Sequence, residues 1–543
     1  MGAATLVAAL GVSLPMALGG SGAAADTAVH RPDKASGSWK LAGSSATRSV
    51  GPLPVETGWG PTASEIATAR RMVDKLSLPE RAGQVIVAHY TGTRAPGALV
   101  NRLHLGGVIV FDENVTSADQ VRRSNHDLQR AASRAGRRWP VLVGVDQEGG
   151  LVERVSRGVT RFPAFMTAGA AGDVRLTKAA YAGSAHELAG LGFTLDFAPD
   201  ADVTSGPTDP TIGSRSAGSR PAVVASQARA ASAGFASAGL VPVIKHFPGH
   251  GSVTANSHFT LPVQPKSLAT LRAQDMVPFR AGARAGAPAV MVGHLDVRAV
   301  DPGVPASLSR KVVTGLLRQA VGFRGLAFTD ALNMGAVTDH YDSAASAVHA
   351  LRAGEDVLLM PPRPAVARAG IVAAVRDGRL SARRLDQAAI RQVALLLHQE
   401  HHGLAPRPPG SARGVSHRFS AAGITLAQGP CHGRLVGRRV SVTGPSGTVA
   451  AFDRAAAAAG LAVGPHGTSV RLVSYGGAPA VGDVVVAADT PYVLGRSRAR
   501  VAKIATYGET PGAMRALVDV LLGRAKAPGH LPVPVPGVAR TGC

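Results

Sequence analysis

Residues 242–251 read Pro-Val-Ile-Lys-His-Phe-Pro-Gly-His-Gly. A short β-branched run that ends in a Lys-His pair and breaks at Pro-Gly predicts a strand handing polar side chains to a rigid turn. Seven further runs of this kind lie on either side: Gln84–His89, Gly107–Phe111, Pro140–Val145, Phe193–Ala198, Ala289–Val292, Gly325–Phe328 and Asp356–Leu359. With Pro242–Lys245 they make eight, separated mostly by Ala-, Leu- and Arg-rich stretches of helix length. Eight such repeats predict an α/β chain folded as a (β/α)8 TIM-type barrel. A doubly wound open sheet is the other arrangement that the count allows.

The polar residues that close these runs favour the barrel, because there the chemistry gathers where strands end and βα loops begin. The third run ends in Asp146, the fifth in Lys245-His246, the sixth in His294 and the seventh in Asp330. Four titratable ends on one rim predict one shared pocket. Lys245 and His246 are suited to charge-assisted hydrogen bonds with hydroxyl groups. A rival reading makes His246, His250 and His258 ligands of a zinc hydrolase. The spacing contains neither a tight helical His pair nor a thiolate cluster, so no metal and no organic cofactor is expected.

The chain has 543 residues, 45% hydrophobic and 17% charged, which excludes wholesale disorder. Lys and Arg outnumber Asp and Glu by 58 to 35, a formal charge of +23. Only 9 of those bases are Lys, aromatic content is 4% and no basic stripe carries interleaved aromatics, so nucleic acid is not an expected partner. Weak adhesion to an anionic cell wall is consistent with the charge.

Residues 1–25 are uncharged, apolar from Leu6 to Leu18, and end in Ala23-Ala24-Ala25, the pattern of a secretory signal peptide. Residues 26–60 are rich in Ser, Gly, Pro and Thr and read as a linker. The catalytic barrel is assigned to 61–402, a second Pro-rich linker to 403–414, and a small α/β domain to 415–543. In that last domain Arg439–Val442, Ser469–Ser474 and Asp483–Ala487 read as strands. Cys431 and Cys543 are the two cysteines, and in an oxidising compartment they are expected to pair.

Five motifs occur in order: Asp146-Gln147-Glu148-Gly149-Gly150, Phe197-Ala198-Pro199, Ile212-Gly213-Ser214-Arg215-Ser216, Lys245 through Gly251 with Ser257-His258 beyond it, and Phe328 through Gly335. Together they resemble glycoside hydrolase family 3, in its bacterial β-N-acetylhexosaminidase branch, over residues 64–400. The resemblance implies a secreted, retaining, exo-acting enzyme, expected to be a monomer, that removes terminal β-linked N-acetylglucosamine from peptidoglycan fragments or chitin oligomers. It implies Asp330 as nucleophile and His258 as general acid/base. It also implies Asp146, Arg215, Lys245 and His246 as sugar contacts, with His294 a further pocket residue.

Two positions depart from the branch pattern. Asn256 stands where an Asp normally pairs with the acid/base His, and a neutral amide stabilises imidazolium less than a carboxylate does. Leu151 stands where an Arg is usual. Asn256 keeps a catalytically weakened or inactive sugar- or wall-binding barrel in view, and a histidine acid/base leaves phosphate as an acceptor alternative to water.

Overall fold

The computed structural model describes residues 57–538 and 543. The signal peptide and most of the first linker lie outside the described residues. All eight runs become parallel strands: β1 Ile86–Ala88, β2 Gly107–Val110, β3 Leu142–Val145, β4 Leu195–Asp196, β5 Val241–Phe247, β6 Ala289–Val292, β7 Leu326–Thr329 and β8 Leu358–Leu359. They pair in chain order, with β8 returning to β1 through Ile86 opposite Leu358. A parallel bridge between Phe328 and Val357 joins β7 to β8 and closes the ring. This closure removes the open-sheet alternative.

Side chains fill the barrel interior, as this fold requires. Phe197 and Phe328 meet edge to face with ring centroids 5.7 Å apart. Gly144 of β3 makes room for them, since a Cβ there would stand 2.8 Å from the Phe197 ring. The helix Ala63–Val73 starts at a capping box formed by Thr62 and Glu65 and packs against the last barrel helix, Ala382–His402.

The next helix, Arg413–Gly423, begins within the stretch expected to be a linker and leads into a second sheet. This sheet has six strands: β9 Thr425–Gln428, β10 Arg439–Thr443, β11 Ala462–Val463, β12 Thr468–Val473, β13 Val481–Ala487 and β14 Arg498–Ala505. Their spatial order is β9-β14-β13-β12-β10-β11, parallel except for β9 against β14. Cys431 and Cys543 form a disulfide across 112 residues of chain, with Cα atoms 5.4 Å apart.

The second sheet leans on the loops of the first. Ala164 donates its N–H to Tyr507 O (2.9 Å), His530 to Ala170 O (3.0 Å) and Ser219 to Pro532 O (3.2 Å). The Ser214 hydroxyl donates to the buried Asp489 carboxylate. Among the described residues no helix is long and apolar enough to cross a membrane.

Candidate active site

Asp146, Lys245, His246, His294 and Asp330 all stand at the C-terminal ends of their strands, on one rim of the ring. The buried Lys245 ammonium reaches Asp146 Oδ1 at 2.7 Å and Glu148 Oε1 at 2.5 Å. Glu148 also accepts a forked pair of bonds from Arg215, Nε to Oε2 at 2.8 Å and Nη2 to Oε1 at 2.9 Å. Burial alone would neutralise these groups, but each faces opposite charge. Burial raises the Glu148 carboxyl while Arg215 and Lys245 outweigh it and hold it well below the usual range. Burial lowers the Lys245 ammonium while Asp146 and Glu148 outweigh it and hold it above its ordinary value. The result is a fixed floor of two cations and two anions, suited to hydrogen bonds with sugar hydroxyls.

The loop that delivers Arg215 is tied at its base. Asp209 accepts the N–H groups of Thr211 (3.1 Å), Ile212 (2.9 Å) and Gly213 (3.2 Å) and the Thr204 hydroxyl (2.9 Å). His246 is oriented by Asp202, whose Oδ2 meets its Nδ1 at 2.7 Å and its N–H at 3.2 Å. The other Asp202 oxygen takes the His250 N–H at 2.6 Å. His246 Nε2 then lies 3.4 Å from Arg215 Nη2, so the two side chains share one wall.

Asp330 accepts the Ala331 N–H on Oδ1 at 2.7 Å. Burial raises its carboxyl, but charge on His294, His246 and His258 and the Ala331 amide bring it down to about 2. The side chain is therefore ionised at neutral pH, the state that an oxygen nucleophile requires. His258 lies on the loop after β5, which is docked onto the segment after β7. Gly335 donates its N–H to His258 O (2.9 Å) and Ala336 to Ser257 O (3.2 Å). A Cβ on Gly335 would come within 2.7 Å of Phe259 O, so glycine permits this approach.

Asn256 Oδ1 accepts both the His258 N–H (2.9 Å) and its Nδ1–H (2.8 Å). This fixes the tautomer and leaves Nε2 available for a second bond. Burial lowers the His258 pKa and the Asp330 charge raises it, with a net lowering. The amide orients the ring without adding negative charge.

His294 is corrected from a substrate contact to a support. It is fully buried, with Nδ1 2.7 Å from Ser307 Oγ and Nε2 3.0 Å from Ala331 O, so neither nitrogen is left for a ligand. It fixes the carbonyl of Ala331, the residue whose N–H meets Asp330. The loop histidines read as zinc ligands likewise engage separate partners: His246 binds Asp202, His250 Nε2 meets Ser257 Oγ at 2.9 Å, and His258 binds Asn256. Among the described residues these three do not form a group at ligand spacing. Asp200, Asp202 and His246 do, and they belong to the wall already described, where Asp202 orients His246 and holds the His250 N–H.

Leu151 is 48% exposed. No role was legible in the sequence for Glu148, Asp200 or Asp202, and for His250 only the zinc role set aside above. Glu148 lay inside a quoted motif, and Asp200 and Asp202 follow directly on another.

Residues 77–395 match the family described as Glycosyl hydrolase family 3 N terminal domain. The chain is 35% identical over 280 residues to "Beta-hexosaminidase A" of Pseudoalteromonas piscicida, covering 48% of this chain and 47% of that protein. The match thus spans about half of that relative's length. A "Beta-hexosaminidase" of Alkalilimnicola ehrlichii is 37% identical over 266 residues, 48% of this chain and 74% of that one. Among solved structures, the glycoside hydrolase family 3 β-N-acetylglucosaminidase from Paenibacillus sp. superposes with a TM-score of 0.76 at 29% identity, covering 86% of this chain and 100% of that one.

Proposed function

The chain belongs to glycosyl hydrolase family 3, and from that premise we propose that it is a retaining, exo-acting β-N-acetylglucosaminidase. Its proposed substrates carry a terminal β-linked N-acetylglucosamine, as peptidoglycan fragments and chitin oligomers do. The observation that carries this reading is the docking of the His258 loop onto the segment after Asp330, with a polar floor of Asp146, Arg215, Lys245 and His246 alongside.

The Asp330 carboxylate attacks the anomeric carbon while His258 Nε2 gives its proton to the departing glycosidic oxygen. A glycosyl ester on Asp330 results, and the leaving sugar departs as an alcohol. The now neutral His258 takes a proton from water, which attacks the same carbon and frees Asp330. The imidazole has lost and regained one proton, and the configuration is retained through two inversions. Lys245, Arg215 and Asp146 hold the sugar hydroxyls so that reacting atoms need no further alignment. The carboxylate and the imidazole supply nucleophile, acid and base between them, so this cycle requires no metal.

Export is part of the proposal, supported by the apolar stretch of residues 6–18 and by the Cys431–Cys543 disulfide. Asn256 favours a second reading, a barrel that binds sugar with weakened turnover. The two separate in an assay of p-nitrophenyl β-N-acetylglucosaminide against the β-glucoside. We expect release of nitrophenol from the first at a kcat/KM at least about 100-fold higher, because buried polar partners are left unmatched by the sugar lacking the acetamido group. Binding of N-acetylglucosamine without turnover of either would favour the second reading.

A further inference from the structure

We propose that Glu65, His398 and His402 form a site for a divalent transition-metal ion of the zinc class, at the end of the barrel opposite the catalytic rim. His398 and His402 lie four residues apart on the helix Ala382–His402 and therefore share one face. Their rings sit 4.1 Å apart between centroids. Glu65 enters from the first turn of the facing helix Ala63–Val73. One ligand atom from each of the three lies within 4.8 Å of the other two. Two imidazoles with one carboxylate is a donor set that zinc takes readily, with an open position for water.

The local bonding says where the ion would sit. Glu65 Oε2 and His398 Nδ1 are 3.0 Å apart. Two ligands on one tetrahedral zinc ion stand about 3.4 Å apart at ordinary bond lengths. The ion would thus replace the shared proton with little movement. Glu65 Oε1 remains bonded to His401 Nδ1 at 2.8 Å, and the Thr62 N–H remains on Oε2 at 2.8 Å. These outer contacts fix the carboxylate plane, as second partners do in built metal sites. His402 is exposed, and its Nδ1 lies 2.9 Å from His398 O, which leaves Nε2 as its ligating nitrogen.

The location separates this site from catalysis. Gln399, between the two histidines, donates to Thr194 O (2.6 Å) and Gly239 O (2.7 Å), which precede β4 and β5. The cluster therefore lies at the N-terminal ends of the strands. An ion here would staple the first helix of the described chain to the last helix of the barrel and act on stability, leaving the catalytic rim untouched.

The test is calorimetric titration of tag-free, chelator-stripped full-length protein with zinc chloride, with and without saturating N-acetylglucosamine, alongside thermal unfolding. The expected result is one ion per chain, a zinc-dependent rise in Tm, and no competition from the sugar. His402→Ala changes an exposed side chain, so it should fold like the parent, keep its turnover, bind zinc at least tenfold more weakly and lose the Tm response. His398→Ala should do the same. Zinc affinity unchanged in His402→Ala, displacement of zinc by the sugar, or no binding by the parent would each overturn the proposal.

Discussion

Asp330→Asn is expected to lower kcat/KM for p-nitrophenyl β-N-acetylglucosaminide by on the order of 10⁴-fold or more, with Tm and circular dichroism close to the parent's. The substitution removes the nucleophilic charge and little else. Among the described residues this carboxylate accepts one hydrogen bond, from the Ala331 N–H, and an amide oxygen accepts that bond equally well. His294, which holds the Ala331 carbonyl of the following peptide, is unaffected. The group lost is a carboxylate whose pKa the nearby His294, His246 and His258 help to bring down to about 2, so the parent carries a full negative charge there in the neutral range. A loss under tenfold, measured on folded variant, would mean that another group attacks the sugar.

Asn256→Asp should act in the opposite direction and selectively. Asn256 Oδ1 already accepts the His258 Nδ1–H, so an Asp oxygen enters the same geometry with a charge added. That charge favours imidazolium and raises the His258 pKa from its lowered position. General acid catalysis by His258 needs the protonated ring, so kcat/KM falls as pH rises through that pKa. The alkaline limb of the variant should therefore lie at higher pH than the parent's. Near neutrality, N-acetylglucosamine oligomers, whose leaving group needs a proton, should gain about tenfold in kcat/KM. Nitrophenyl glycosides, whose leaving group departs with little help, should change far less. An equal gain on both substrates, or an unmoved alkaline limb, would show that Asn256 does not act through the charge on His258.

The barrel was legible because its strands are locally encoded. Each of the eight apolar runs carries a strand within a few residues of the expected place, and Ala289–Val292 coincides with β6. Closure was legible only indirectly, through the titratable strand ends that favoured the barrel, because the contacts that make it, Ile86 with Leu358 and Phe328 with Val357, join residues far apart in the chain. In the second domain the strand Arg498–Ala505 was missed because charged residues alternate along its first half, so no apolar run announces it.

The site shows the same division. Asp330, His258 and Lys245 stood out as polar ends of motifs. The importance of Glu148 and Asp202 comes from partners 67 and 44 residues away, which meet only through the packing of adjacent βα loops. His294 had the right position and the wrong inference. Its place at a strand end gave no sign that Ser307 and the Ala331 carbonyl would consume both ring nitrogens.

A retaining cycle passes through a covalent bond between sugar and carboxylate, and trapping that bond is the most direct test. An N-acetylglucosaminyl fluoride bearing a second fluorine at C5 forms the glycosyl-enzyme faster than it hydrolyses, so the intermediate accumulates for mass spectrometry. We predict one sugar per chain, attached in the peptide containing Asp330 and absent from Asp330→Asn. Turnover of the reagent with no adduct, or an adduct on any other residue, would contradict the mechanism.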